Sequence, residues 1–177
     1  MYKIKTPLSK EEIEKLDVGM SVRISGIVYT ARDAAHKRFV ELIRKGKNLP
    51  VNLKNQIIFY ASPTPEKPGK TIGSIGPTTS KRMDVHTGIL LKNGLKGMIG
   101  KGPRTEEIRK EIKKHGAIYF IATGGAGAYL SKHVEEKEVA AFKDLGVEAV
   151  LKLKIKDFPV LVAIDSKGNS IFPYGVS

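Results

Sequence analysis

The chain has 177 residues, 41% of them hydrophobic, long enough to bury one domain core and too apolar for a disordered segment. It contains no cysteine, so disulfides, zinc–thiolate sites and an iron–sulfur cluster ligated by this chain are excluded. Lys and Arg outnumber Asp and Glu by 31 to 18, and this net charge of +13 calls for an anionic partner or a well-solvated lysine surface.

Along the chain, "PLSKEEIEKL" predicts a short helix opened by a capping box between Ser9 and Glu12. "GMSVRISGIVY" alternates apolar and polar residues as a strand does. "TARDAAHKRFVELIRKGK" predicts a helix with Thr30 and Asp33 as its capping box, an apolar face of Phe39, Leu42 and Ile43, and Gly46 as its stop. "NQIIFYAS" reads as a buried strand, and the Pro-rich "PTPEKPGK" as a surface crossing too short to separate domains. "RMDVHTGILLKNG" predicts a helix ending at Asn93–Gly94, and "LKGMIGKG" a short strand running into a glycine loop. "PRTEEIRKEIKKHG" is an exposed helix capped by Thr105, and "AIYFIATGGAGAYL" a strand followed by a glycine-rich turn. The tail, "VEAVLKLKIKDFPVLVAIDSKGNSIFPYG", predicts two or three strands with a turn at "DSKGN". Helices and strands alternate through the middle and strands dominate the end. The expected fold is therefore a single α/β domain over residues 1–177, with a mixed sheet and flanking helices.

No apolar run reaches membrane-spanning length and no charged-then-apolar leader opens the chain, so a soluble, cytoplasmic protein is expected. Aromatics are 7% of the residues and tryptophan is absent, which leaves few platforms for stacking bases and argues against nucleic acid. The histidines at 36, 86, 115 and 133 show no pair at metal-ligand spacing, so no metal site is expected in this chain.

Four segments share one design, in which an apolar strand ends, small residues turn and polar groups open the next helix: "VYTARDAAHKR", "IGPTTSKRMD", "MIGKG" and "IATGGAGAY". In α/β sheets such turns gather at one edge, where free backbone N–H groups favour anions. There Arg32, Arg82 and Lys101 would converge, and two arginines suit a dicarboxylate because each can grip a carboxylate with paired hydrogen bonds. Arg32 sits beside the positive end of a helix, a mismatch that points to a ligand; Lys101, between two glycines, is either part of the site or a plain surface turn. "TGGAGA" lacks the spacing of a phosphate loop. Of Thr78 and Thr79 only one can cap the helix, which leaves the other for chemistry. His36, at i+4 from Arg32 and i+3 from Asp33, either relays a proton at the same pocket or is a helix-surface residue bonded to Asp33. The other three histidines read as ordinary surface or packing residues.

Taken together and in order, "YTARDAAHKR", "GPTTSKRMD", "GMIGKG" and "TGGAGAYLSKHV" resemble the beta subunit of class I fumarate hydratases, a family that includes the beta subunit of L(+)-tartrate dehydratase. The resemblance spans nearly the whole chain. It implies a swivelling β/β/α domain equivalent to the C-terminal, beta-subunit domain of class I fumarate hydratase. It also implies half of a hydro-lyase that interconverts fumarate and malate, a step of the tricarboxylic acid cycle. The four-iron, four-sulfur cluster would be bound by a partner alpha subunit and not by this chain. The working form would be a hetero-oligomer, with a homodimer allowed for the isolated chain and neither nucleic acid nor membrane as partner. The family's substrate-binding groups carry over onto Arg32, Arg82 and Lys101, with Thr79 beside them, and its reactive hydroxyl onto Thr78. Thr78 needs help to act as a base, for which Asp33, His36, Asp84 or an alpha-subunit group would serve. The competing readings are a tartrate dehydratase beta subunit and a non-enzymatic basic binding module.

Overall fold

A computed structural model describes residues 1–123 and 125–175. The strands are β1 (Tyr2–Lys5), β2 (Ser21–Thr30), β3 (Ile57–Phe59), β4 (Gly97–Gly100), β5 (Ile118–Ile121), β6 (Val134–Ala141) and β7 (Val150–Ile164). The helices are α1 (Lys10–Glu14), α2 (Asp33–Arg44), α3 (Asp84–Lys92), α4 (Glu106–His115) and α5 (Gly127–Leu130), with a 3₁₀ turn at Ser80–Met83 leading into α3.

The strand order is β1-β2-β3-β4-β5-β7-β6, with β7 pairing β2 as well. Strands β1 to β5 run parallel to their neighbours, whereas β7 is antiparallel to β2, β5 and β6. The pairings β2–β3–β4–β5–β7–β2 thus close on themselves. This is the mixed sheet with flanking helices that the sequence predicts.

Side chains on a strand alternate between faces, and here both faces are covered. Ile57, Phe59, Ile99, Ile118 and Phe120 join Val22, Ile24, Val28, Leu153 and Phe158 in a core enclosed by the strands. Their neighbours Ile58, Tyr60, Met98 and Tyr119 point the other way, against Phe39 of α2, Leu90 and Leu91 of α3, and Ile108 and Ile112 of α4. That double burial is why "IIFY" and "GMIG" read as continuous apolar runs.

Three local expectations need correction. The tail forms one 15-residue strand in place of two or three. It bends at Asp157, whose φ of 49° faces a register shift beside Gly26, and the Asp157 N–H donates to Ser25 Oγ at 2.9 Å. Pairing with β2 over most of its length carries the strand through that bend. Strands β1 and β6 had no clear signal. β6 is a charged outer strand whose Glu136 and Glu138 pair with Lys154 and Lys152 of β7, so it lacks the apolar alternation of a buried strand. The Ser9–Glu12 box and the Thr105 cap both form, but the Thr30–Asp33 box does not. Thr30 Oγ1 instead accepts the Leu151 N–H at 3.1 Å, and Arg32 stands at the N-cap without a side-chain bond.

Gly100, the last residue of β4, is a glycine because a Cβ there would lie 1.8 Å from Ser80 Oγ and 2.9 Å from the Tyr60 ring. Gly100→Ala is expected to lower unfolding free energy by about 1–3 kcal/mol, the usual cost of overpacking, measured by urea denaturation.

Candidate active site

The parallel strands end together, and the segments that follow them form one edge. Ala31 N–H donates to the Phe59 carbonyl at 3.1 Å, Tyr60 N–H to Ile99 at 2.8 Å, and Ala122 N–H to Gly100 at 3.1 Å. Residues 78–80 then lie between the ends of β3 and β4. Thr78 N–H donates to the Tyr60 carbonyl at 2.8 Å and Ser80 N–H to the Lys101 carbonyl at 3.0 Å, while Thr79 bridges Lys101. From there the 3₁₀ turn carries Arg82 back over Thr78.

Arg82 Nη2 donates to Thr78 Oγ1 at 3.2 Å and to Asp33 Oδ2 at 3.2 Å. The ion pair is about half exposed on both sides, 50% for Arg82 and 47% for Asp33. A pair so wet contributes about 0–1 kcal/mol to stability, so an incoming anion can displace it at little cost. Neither threonine hydroxyl caps the helix, which leaves both free of that structural duty. Thr79 and Lys101 are exposed and Thr78 half-buried. Arg32, one residue after Ala31 on the same edge, has its Nε enclosed without a hydrogen-bond partner among the described residues. An enclosed guanidinium N–H without a partner marks a position where an acceptor belongs.

His36 occupies the first turn of α2 but is fully buried, and its Nδ1 lies 2.7 Å from the Arg32 carbonyl, so neither a surface position nor a bond to Asp33 holds. Its Nε2 is enclosed and unpartnered among the described residues. Burial lowers its pKa to about 4, the Arg32 carbonyl opposes the shift, and His86 and Arg104 push it further down. The ring is therefore neutral at pH 7. His86 is half-buried 6.1 Å from it, ring to ring, where desolvation lowers its pKa too, so of the two roles read for it, surface or packing, it takes the packing one.

The family model for the fumarase C-terminus matches residues 2–175. The chain belongs to that family. It is 35% identical over 173 residues to fumarate hydratase 2 of Leishmania major, covering 96% of this chain and 30% of that protein. It is also 35% identical over 163 residues to the anaerobic class I fumarate hydratase of Escherichia coli, covering 91% of this chain and again 30% of the relative. Against a Methanocaldococcus jannaschii protein named as an inferred beta subunit of L(+)-tartrate dehydratase, it is 39% identical over 171 residues, with 93% and 88% covered. The chain thus spans 30% of the length of these two fumarate hydratases and most of that beta subunit.

Within this fumarase C-terminus chain, the backbone puts Arg32, Asp33, Thr78, Thr79, Arg82 and Lys101 on one edge. That edge does not gather Asp84. That carboxylate is buried, with Oδ1 accepting from Arg104 Nε at 2.6 Å and Oδ2 from the Thr105 N–H at 2.7 Å, so it cannot activate Thr78. Arg104 is the residue that sequence reasoning missed. The signal was available: like Arg32, it is a cation beside the positive end of a helix, one position before the Thr105 cap. The "TGGAGA" turn includes Gly124, which lies outside the described residues. Among the described residues no group of three or more His, Asp or Glu side chains is placed to hold a metal ion, and no helix is long and apolar enough to cross a membrane.

Because His36 is neutral when folded and has an ordinary pKa of 6.5 when unfolded, the unfolded state binds the extra proton. Its contribution to stability is present above pH 6.5 and falls progressively toward pH 4. The difference integrates to roughly 3 kcal/mol. His36→Phe is expected to flatten that part of the acid limb, read as the pH dependence of the urea midpoint for both proteins.

Proposed function

We propose that this chain is the beta subunit of an iron–sulfur-dependent hydro-lyase that reversibly hydrates fumarate to malate. One observation carries the reading: a half-exposed guanidinium, Arg82, bridges a free threonine hydroxyl and a carboxylate at an edge that also holds Arg32 and Lys101. The relatives named as fumarate hydratases and as a tartrate dehydratase beta subunit support it.

Arg32 and one of the other two cations bind the two carboxylates of the substrate and fix its orientation. Removing a proton from the carbon beside a carboxylate drives negative charge onto that carboxylate. Arg82 or Lys101 next to it stabilises the growing charge more than the ground state. Thr78 Oγ1 handles that proton. The hydrogen bond it accepts from Arg82 favours its deprotonated form, since a cation lowers the energy of an adjacent alkoxide. Asp33 holds Arg82 from the other side, and His36, neutral and buried, ties down the Arg32 carbonyl. Thr79 lies against Lys101 and frames the same carboxylate position.

The residues of this chain do not fit an iron–sulfur cluster as ligands, because the chain has no cysteine. The cluster belongs in this reading to an alpha subunit, and the assembly is a hetero-oligomer in the cytoplasm. The exposure of Arg82, Thr79 and Lys101 agrees with a site that a second chain closes, since these electrostatic effects grow when water is excluded. The Methanocaldococcus jannaschii relative, 39% identical and named for L(+)-tartrate dehydratase, favours one second reading, L(+)-tartrate as the substrate of the same site.

Reconstitution with an alpha subunit under anaerobic conditions, followed by fumarate absorbance, is expected to give turnover. A complex with an intact cluster that hydrates neither fumarate nor dehydrates L(+)-tartrate would sink the reading. Arg82→Ala is expected to lower kcat/KM by at least about tenfold, from loss of a charge-assisted contact of about 1.5–3 kcal/mol, while the urea midpoint barely moves. Thr78→Ala should lose turnover with the fold intact.

A further inference from the structure

Arg104 lies buried behind the exposed edge, and its partners lead to the segments that bear Thr78, Arg82 and Lys101. Its guanidinium is fully buried, with its carbon 4.8 Å from the centroid of Tyr119 and 5.3 Å from that of Tyr60. Nε donates to Asp84 as described, and Nη2 donates to Thr87 Oγ1 at 2.9 Å and to the Tyr60 hydroxyl at 3.2 Å. Each partner leads to one part of the proposed site. Tyr60 holds the Thr78 N–H through its carbonyl. Asp84 is the first residue after the 3₁₀ turn that bears Arg82, and Thr87 Oγ1 donates to the carbonyl of Met83, the last residue of that turn, at 2.8 Å. The Tyr119 hydroxyl, under the same guanidinium, lies 2.8 Å from both Ser80 Oγ, at the start of the turn, and the Gly102 carbonyl, next to Lys101.

From this geometry we infer that Arg104, with Asp84 as its counter-ion, is a positioning residue for the dicarboxylate site, fixing Thr78, Arg82 and Lys101 relative to one another from beneath. The role rests on the function proposed above, but the geometric part stands without it. A buried ion pair is seldom a gain in stability over apolar residues of similar size, so a role in fixing one geometry explains its presence better than a role in holding the fold. Three segments from distant parts of the sequence end on one planar, five-donor group whose fork cannot flex. Lysine would keep the charge and lose the fork.

The test uses Arg104→Lys and the double variant Arg104→Met with Asp84→Asn, which removes both charges together, nearly keeps the volume and retains an acceptor for the Thr105 N–H. Hydrogen exchange of the chain alone reads the geometry. The Thr78 and Ser80 amides are expected to exchange about tenfold faster or more, with the β2–β7 ladder unchanged. In the reconstituted complex kcat should fall about tenfold or more, because the misplacement acts at the reacting centre. Wild-type protection at Thr78 and Ser80 in either variant would overturn the inference. So would equal acceleration of ladder and turn, which would make the pair a support of the whole fold, and so would unchanged kcat in a complex whose wild type turns over. A wild-type complex without turnover would count against the hydro-lyase reading, and the exchange data would still decide the geometry.

Discussion

The pairing of β7 with both β5 and β2 is the constraint on which the rest of the molecule depends. Without it the strands would form an open sheet with one unpaired side on β2. With it, the central strands enclose one core and present the other face to α2, α3 and α4. The parallel pairing of β2, β3, β4 and β5 puts their carboxyl ends on a single edge of that closed layer. The cations of the candidate site reach that edge because the loops that carry them start there, and not because they attract one another. Like charges are held together by covalent and packing constraints, and an anion relieves their repulsion.

The two arginines on either side of α3 show how context divides one residue type into two jobs. Arg82 lies in water with long, single-nitrogen contacts that a ligand can replace. Arg104 lies in the second core between two tyrosine rings, bonded through Nε and Nη2 to groups that themselves hold the edge. The wet guanidinium is available and the dry one is rigid. An arrangement that binds a small anion needs both, since preorganised charge acts on a transition state only if its support does not relax.

Much of the fold was legible because its signals are local. The Ser9–Glu12 box, the Thr105 cap, the core-facing Phe39 and Ile43 of α2 and the doubly apolar "IIFY" all report their own conformation, although Ala35, His36 and Val40, not Leu42, complete the buried face of α2. Where reading failed, a distant partner had overridden the local rule. Thr30 looked like a cap but serves Leu151 across the β2–β7 ladder. Asp84 looked like a helix-start carboxylate open to the site but is claimed by Arg104. His36 read as a pocket relay or a helix-surface residue bonded to Asp33 but faces Tyr60 in the interior, which desolvates it.

The sequence by itself determined the type of most elements, the absence of cysteine ligands, the excess of positive charge and the set of polar residues that follow the parallel strands β2 to β5. Those properties depend on residue chemistry and on spacings within a dozen positions. Only the tertiary structure decided which cations stay wet, which carboxylate is spent inside and that one long strand closes the sheet. The physical reason is that burial and ion pairing are set by whatever packs across from a residue, and here that neighbour lies 20 to 121 positions away.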